Sequence, residues 1–418
     1  MHKRNNTIND RKEREILRSV SIHCTSCGKA HKLDEAIFRC DLCNEPLEIE
    51  EISNGRINKG NILTQTIWER YEDFYPFLDK NNRFTLGEGF TPLIEMKDLA
   101  YSIGISGLYM KNETQNPTWS FKDRGTAVGI MDAKRLGYKR IGTVSTGNMA
   151  TSVAAYGAAA GMETFVFVSK DISEEKINPI AMYNPHLIKV EGNYGELYFE
   201  SLKIGKENNI YFINSDVPMR VEGSKTIAYE ICEQLNFQMP DYVIVPTSAG
   251  GNIRGIEKGF REFKSCGLID NVPKIICAQS LGCSPIYNAY YNNSDAITRV
   301  EKPHTIAHAI ENPYPPSGNQ VLRLLKNNGG IATAVTDEEI LKAQALMAKE
   351  GILGQPASSV PLAAIIKLKE EGFLKGNEKV VCIVTGSGLK YTASFAMHQL
   401  YSAECELNEL SDYIKENY

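Results

Sequence analysis

Asn116-Pro-Thr-Trp-Ser-Phe-Lys-Asp-Arg-Gly125 is the stretch on which the reading of this chain turns. Pro117 followed by Ser120 announces a helix, with Ser120 as the expected cap and Lys122 in the first turn. A lysine there is electrostatically misplaced, because the positive end of the helix dipole disfavours an ammonium and lowers its pKa. An amine lowered in this way is a nucleophile toward aldehydes. A solvated lysine at a helix start would give the same wording, so the segments around it have to discriminate.

Short β-branched runs at 140–145, 163–168, 186–190, 210–214, 241–246, 274–279 and 379–384 alternate with helix-period segments. That alternation predicts an α/β chain with parallel or mixed sheets covered by helices, in which ligands bind at loops beyond the carboxyl ends of strands. Three loops sit in that position. Val144-Ser-Thr-Gly-Asn-Met149 runs from a strand into a helix whose free N–H groups attract a carboxylate or phosphate, although Ser or Thr before a helix is commonly only a cap. Pro246-Thr-Ser-Ala-Gly-Gly-Asn252 makes a nest of N–H groups suited to phosphate; no Lys-Ser or Lys-Thr follows it, which excludes a Walker loop. Val384-Thr-Gly-Ser-Gly-Leu-Lys390 flanks a glycine with two hydroxyls, which a tight turn alone would also explain.

Four of the ten cysteines are clustered as two CxxC pairs, Cys24-Thr-Ser-Cys27-Gly and Cys40-Asp-Leu-Cys43-Asn. Two thiolates three positions apart in a knuckle grip one metal ion, and two knuckles complete a tetrahedral site for which zinc is the first choice and iron the alternative. Gly28 and Asn44 supply the turn after each pair. A metal staple suits a segment too small to build its own core. Residues 1–20 carry six basic and three acidic side chains, but residues 1–50 balance at nine each, which gives no case for nucleic acid. Of the scattered cysteines, Cys277 and Cys382 fall in apolar strands and are expected to be buried. The polar start and the free thiols suggest a cytoplasmic protein.

The 418 residues carry a net charge of −5 with 42% hydrophobic and 23% charged residues, an ordinary globular composition that argues against disorder and against a general anionic partner. Met149 to Val168 is the one stretch resembling a membrane span; it reads better as an Ala-rich helix, a break at Gly161 and a buried strand. Residues 52–61 read as a linker, and Trp68, Tyr71 and Tyr75 as anchors of the segment that follows. The division expected is an N-terminal segment, 1–60, and a core, 61–418, with a smaller mobile subdomain at about 125–225.

Lys122 in SFKDRG, the STGN loop, the SAGGN loop and the TGSGLK turn resemble, in order and spacing, the fold-type II pyridoxal-phosphate enzymes, whose fold is that of the tryptophan synthase β chain. ETQNPTWSFKDRG, GEGFTPL, RVEGSKTIAYEI and the CxxCG ribbon are similar to the threonine synthase family, over about residues 22–395. The resemblance implies pyridoxal 5′-phosphate as cofactor and a small phosphorylated amino acid as substrate, O-phospho-L-homoserine, converted with water to L-threonine and phosphate. It implies a homodimer, with no nucleic-acid or membrane partner.

Carried over by resemblance, Lys122 forms the internal aldimine and shuttles protons, and Phe121 packs beside the ring. Asn148 meets the 3′ oxygen, while Ser248, Ala249, Gly250, Gly251 and Asn252 hold the cofactor phosphate. Thr385 faces the pyridine nitrogen, and a hydroxyl there favours elimination and replacement over transamination. Thr118, Ser145 and Thr146 bind the substrate carboxylate, and Arg220 clamps the substrate phosphate. Trp119, Gln355 and the run IAHAIENP at 306–313 depart from the family pattern on the substrate side. They leave open a paralogue acting on another phosphorylated amino acid, such as a cysteate synthase using O-phosphoserine and sulfite. A non-catalytic relative acting through its ribbon is the third reading.

Overall fold

The computed structural model describes residues 20–80, 83–170, 174–191, 194–398, 400 and 402–417. The basic tilt noted at the start of the sequence lies at residues outside these, apart from Val20. The described chain opens with a small antiparallel sheet in which β1 (Ile22–Cys24) pairs with both β2 (Ala30–His31) and β3 (Leu47–Ile49). The two cysteine knuckles hang from its ends. β3 is an edge, and buried cations cap its free carbonyls: Arg254 donates to Leu47 O at 2.9 Å and Lys258 to Ile49 O at 2.6 Å. Ile22, Leu47 and Ile49 are buried in the same cluster as Phe260 and Phe263, so the ribbon shares the core of the chain that follows it. Trp68, Tyr71 and Tyr75, the expected anchors, are all buried there.

β4 (Leu93–Glu95) and β5 (Gly107–Asn112) then begin a larger sheet as an antiparallel pair. Helix α1 (Lys122–Arg135) leads the chain away into a second sheet of β6 (Arg140–Val144), β7 (Glu163–Ser169), β8 (His186–Val190) and β9 (Ile210–Phe212), parallel throughout in the order β8-β7-β6-β9. Helix α2 (Asn148–Ala159) crosses between β6 and β7. The Ala-rich helix, the positive φ at Gly161 and the strand after it fall where the sequence puts them.

Helix α3 (Pro218–Gln234) returns the chain to the larger sheet, which β10 (Tyr242–Pro246), β11 (Lys274–Ser280), β12 (Ile331–Val335) and β13 (Lys379–Val384) complete in the order β12-β11-β10-β13-β5-β4. All of its pairs except β4–β5 are parallel. β10, β11 and β13 are buried along almost their whole length, which is why they read as continuous apolar runs. Cys277 and Cys382 sit in them, 0% and 1% exposed, as their sequence context predicts. Helices α4 (Gly251–Ser265) and α5 (Pro356–Glu370) follow, α4 directly after β10. No helix among the described residues is long and apolar enough to cross a membrane.

Candidate active site

The loops after β6, β10 and β13 converge on one cavity of about 480 Å³, walled on one side by the smaller sheet and on the other by the larger. Lys122 lines it at the start of α1. The expected cap is not made: Phe121 is the N-cap residue, it offers no side-chain bond, and the Ser120 hydroxyl is buried without a partner. The loop is held instead by backbone bonds to the turn after β13. Phe121 N donates to Thr385 O at 3.0 Å and Ser387 N to Trp119 O at 3.0 Å.

The Lys122 amine is lowered from its ordinary value to about 7, as the sequence leads one to expect, but the physical cause is broader than a helix dipole. Burial contributes most, followed by the charges of Arg220 and Lys390. The amine stands 4.5 Å from the Phe121 ring centroid. Near neutral pH a large fraction of such an amine is unprotonated and able to attack a carbonyl.

A phosphate cradle lies across the cavity. Gly250, with φ of 98°, turns the chain from β10 into α4, whose first N–H groups open onto the cavity. A Cβ on Gly251 would lie 2.3 Å from Ser215 O, so the backbone approach here admits only glycine. Both polar atoms of the Asn252 amide are buried without a hydrogen-bond partner, as expected of a group that waits for a ligand. Ser248 and Ala249 line the same wall. The residues present therefore fit pyridoxal phosphate: an amine of lowered pKa for its aldehyde and a nest at a helix start for its phosphate.

Asn148, at the head of α2, donates to Gln355 Oε1 at 3.2 Å, and Gln355 N donates to Gly386 O at 3.0 Å. Thr385 Oγ1 lies 3.1 Å from Ser358 Oγ, buried at the base of the cavity. Ser145 and Thr146 line the wall beside Asn148. These side chains come together as the sequence proposes.

Two predicted substrate residues do not reach the lining. The Thr118 hydroxyl and N–H are both bound, at 2.6 Å each, by the Asp123 carboxylate. Arg220 is 3% exposed and spends its guanidinium on Thr126 Oγ1 at 2.8 Å and on Lys122 O at 3.2 Å. It acts on the Lys122 amine as a neighbouring positive charge. Trp119 is half exposed with φ of 61° and stands outside the lining as well.

Three further side chains line the cavity, of which Lys390 and Arg299 bring positive charge that the sequence reading left without a role. Lys390 closes the TGSGLK turn, donates to Thr118 O at 2.7 Å and is lowered to about 8, chiefly by burial and with Asp123 opposing. Arg299 lines the cavity with its guanidinium 5.8 Å from the Tyr314 ring centroid. His308, in the divergent 306–313 run, faces the cavity with Nδ1 2.8 Å from Glu311 Oε2. Lys390 was legible as the last residue of a quoted motif; Arg299 and His308 lie in loops with no periodic pattern.

The cysteine knuckles form a second candidate site. Cys24 Sγ and Cys43 Sγ are 3.4 Å apart, Cys27 Sγ and Cys40 Sγ 3.7 Å, and all four sulfurs lie within 4.8 Å of one another. Metal–sulfur bonds of about 2.3 Å in a tetrahedron put sulfurs about 3.8 Å apart, so the four fit around one ion. Burial opposes ionisation of Cys24, but the N–H groups of Cys27 and Ser26 hold its thiol down to about 7.

A family model described as pyridoxal-phosphate dependent enzyme matches residues 84–386. The threonine synthase of Methanocaldococcus jannaschii is 41% identical over 94% of this chain and 99% of its own, and that of Methanosarcina acetivorans 38% over 88% and 92%. Among solved structures, maize serine racemase superposes with a TM-score of 0.62 at 20% identity, covering 78% of this chain and 92% of its own. The match of the family model to most of the chain, and the identity to threonine synthases over nearly the whole length of both chains, show that the chain belongs to the pyridoxal-phosphate dependent enzymes and, within them, to the threonine synthase family.

Proposed function

We propose that this chain is a threonine synthase that converts O-phospho-L-homoserine and water to L-threonine and inorganic phosphate. The observation that carries the reading is one cavity lined by a lysine of lowered pKa, a phosphate nest at the head of α4 and the further cations Lys390 and Arg299. The α4 cradle suits the cofactor phosphate, and Lys390 with Arg299 offers cations to a second anion. The identity to threonine synthases across nearly the whole chain supports the same conclusion.

Pyridoxal phosphate, when bound, supplies an aldehyde and an electron sink beside the substrate α-carbon. Lys122 would carry the cofactor and then move protons at the α- and β-carbons, since its amine near pH 7 can both accept and return them. Asn148 would orient the ring through its 3′ oxygen and Thr385 would meet the ring nitrogen. Ser145 and Thr146, at the head of α2, would seat the substrate carboxylate. The net change is that phosphate leaves Cγ and takes up one water proton, Cβ exchanges a proton for the water hydroxyl, and Cγ gains a proton. A smaller subdomain at about 125–225 that closes on substrate would keep bulk water from the intermediates.

The four cysteines would hold a structural Zn²⁺. A homodimer in the cytoplasm is the state we expect; the free thiols suit a reducing compartment.

Phosphate release from O-phosphohomoserine and O-phosphoserine, the latter with and without sulfite, tests the reading when products are identified. Threonine from the first substrate is expected. The lining contributed by the divergent run at 306–313 favours the second substrate as the alternative, and turnover of O-phosphoserine with silence toward O-phosphohomoserine would establish it.

A further inference from the structure

We propose that Arg39, a ribbon residue outside the cavity lining, is a positioning residue for the cofactor cradle, and that the ion held by the four cysteines acts on cofactor binding through it. Arg39 immediately precedes Cys40, and its Nε donates at 2.8 Å to Asn44 O, at the turn of the second knuckle. Its other end leaves the ribbon. Nη1 donates to Asp216 Oδ2 at 2.9 Å and to Pro316 O at 3.0 Å.

Asp216 is a hub. Its side chain is 1% exposed, and it accepts from three directions: Arg39, the Ser317 hydroxyl at 2.8 Å, and the Tyr198 hydroxyl. Tyr198 lines the cavity on the side of the smaller sheet. Ser317 supports the cradle from beneath: its N–H donates to Ala249 O at 3.0 Å, and a Cβ on Gly250 would lie 2.8 Å from Ser317 Cβ. The residue before Asp216 supplies the carbonyl against which Gly251 packs. One buried carboxylate thus holds the floor of the phosphate nest and one cavity wall, and the cation paired with it belongs to the metal knuckle.

Removing that cation leaves the buried Asp216 carboxylate with the Ser317 and Tyr198 hydroxyls as its side-chain donors, while Arg254 is already bonded to Ser317 Oγ at 3.0 Å, so the carboxylate has to move. That movement shifts Ser317 under the nest. Releasing the metal ion frees the Cys40–Cys43 turn that fixes Arg39, with the same consequence by another route. The proposal rests on the cofactor reading above and goes beyond it, in making the ribbon part of the cofactor site.

The test uses the full-length protein with Arg39→Gln, Arg39→Lys, Asp216→Asn and the Arg39→Gln/Asp216→Asn double variant. Metal content, the dissociation constant for pyridoxal 5′-phosphate on the apoprotein, and the ³¹P resonance of the bound cofactor are measured. Arg39→Gln is expected to keep its metal and its fold by circular dichroism, bind the cofactor about tenfold more weakly, equivalent to about 1.4 kcal/mol, and shift the resonance. Arg39→Lys should recover part of the loss. The double variant should bind no more weakly than Asp216→Asn, because both changes break one path. Chelation of the wild type should weaken cofactor binding to a similar degree. If Arg39→Gln does not fold, Arg39→Lys and the chelated wild type decide.

Wild-type affinity and resonance in Arg39→Gln, or in Arg39→Lys where that variant has to decide, would overturn the positioning role. Unchanged cofactor affinity after chelation, or a wild type that binds no metal, would overturn the metal's part. A wild type that binds no cofactor would overturn the proposal together with the reading beneath it.

Discussion

At the scale of single residues, Lys122 is set apart by its burial and by the positive charges of Arg220 and Lys390 beside it. Its folded-state pKa of about 7 lies below the ordinary 10.5, so between those values the unfolded chain binds more protons than the folded one. The sign follows directly. The apoprotein gains stability from this residue as pH rises from about 7 toward 10.5, and carries the full cost of a buried ammonium below 7. Lys122→Met is therefore expected to raise the apoprotein's thermal midpoint at pH 7, with the gap to wild type closing toward pH 10, while abolishing the visible absorbance of a lysine-linked cofactor. Parallel melting curves across that range would contradict the assignment. Gly251 makes a sharper steric prediction. A methyl at 2.3 Å from Ser215 O meets backbone and cannot rotate away, so Gly251→Ala must displace the head of α4. Cofactor affinity in a titration should fall at least about tenfold, with the fold retained by circular dichroism.

At the scale of elements, the helices that carry the site are fixed by a buried charge cluster. Arg124, two residues after the reactive lysine, donates to Glu113 at 2.6 and 2.8 Å and to Glu230 at 2.6 and 2.8 Å. Lys111 adds a bond to Glu230 at 2.7 Å, and Phe90 N another at 2.9 Å. β5, α1, α3 and the GEGFTPL loop meet in this way. The loop's own Glu88 accepts from Trp68 Nε1 at 2.5 Å and from Tyr156 OH at 2.6 Å. Burial alone would raise the Glu230 carboxyl; Arg124 and Lys111 outweigh it and hold it down to about 2. Glu230→Gln leaves two cations undercompensated and should cost about 3–5 kcal/mol at neutral pH by denaturant titration. A carboxyl lowered from 4.5 stabilises above its unfolded pKa, so the difference from wild type should shrink as pH falls from about 4.5 toward 2. A constant difference across that interval would show that packing, and not charge, is lost. None of this was legible in the sequence, because Glu113, Arg124 and Glu230 become partners only through tertiary contact. The loops and Lys122 were legible because each is a local strand-to-helix junction with its own turn chemistry. β5 and β12 went unread: GLYMKN ends in two polar residues, and IATAV is short, with two alanines among its five residues. Thr118 and Arg220 lie beside the lysine as their motifs suggest, with their polar groups engaged by Asp123, Thr126 and Lys122 O, since a motif gives proximity but not the direction in which a side chain points.

At the scale of the whole molecule, the ribbon is not an independent appendage. Its apolar residues lie in the cluster that contains Tyr71, Phe74 and Phe263, and its β3 carbonyls are acceptors for Arg254 and Lys258 on α4. The reason a sequence reading separates the two is that residues 52–61 look like a linker, whereas contact depends on what β3 presents to α4. Glu48 makes the attachment electrostatic as well. Burial would raise its carboxyl, but Arg261, Lys258 and Arg254 on the same helix hold it down to about 2. A structural zinc contributes on the order of 10 kcal/mol of apparent folding free energy. With an unfolding entropy of about 2.1 cal/mol/K per residue over a chain of this length, 1 kcal/mol moves the midpoint by about 1 °C. If ribbon and body unfold together, chelating the metal should lower the midpoint of the entire transition by about 10 °C and leave it a single transition by calorimetry. Cys27→Ser should do the same without a chelator, since Cys27 is an exposed thiol whose loss opens no cavity in the core. An early, separate transition after metal removal, with the main midpoint unmoved, would show instead that the ribbon is a self-contained module resting on the enzyme.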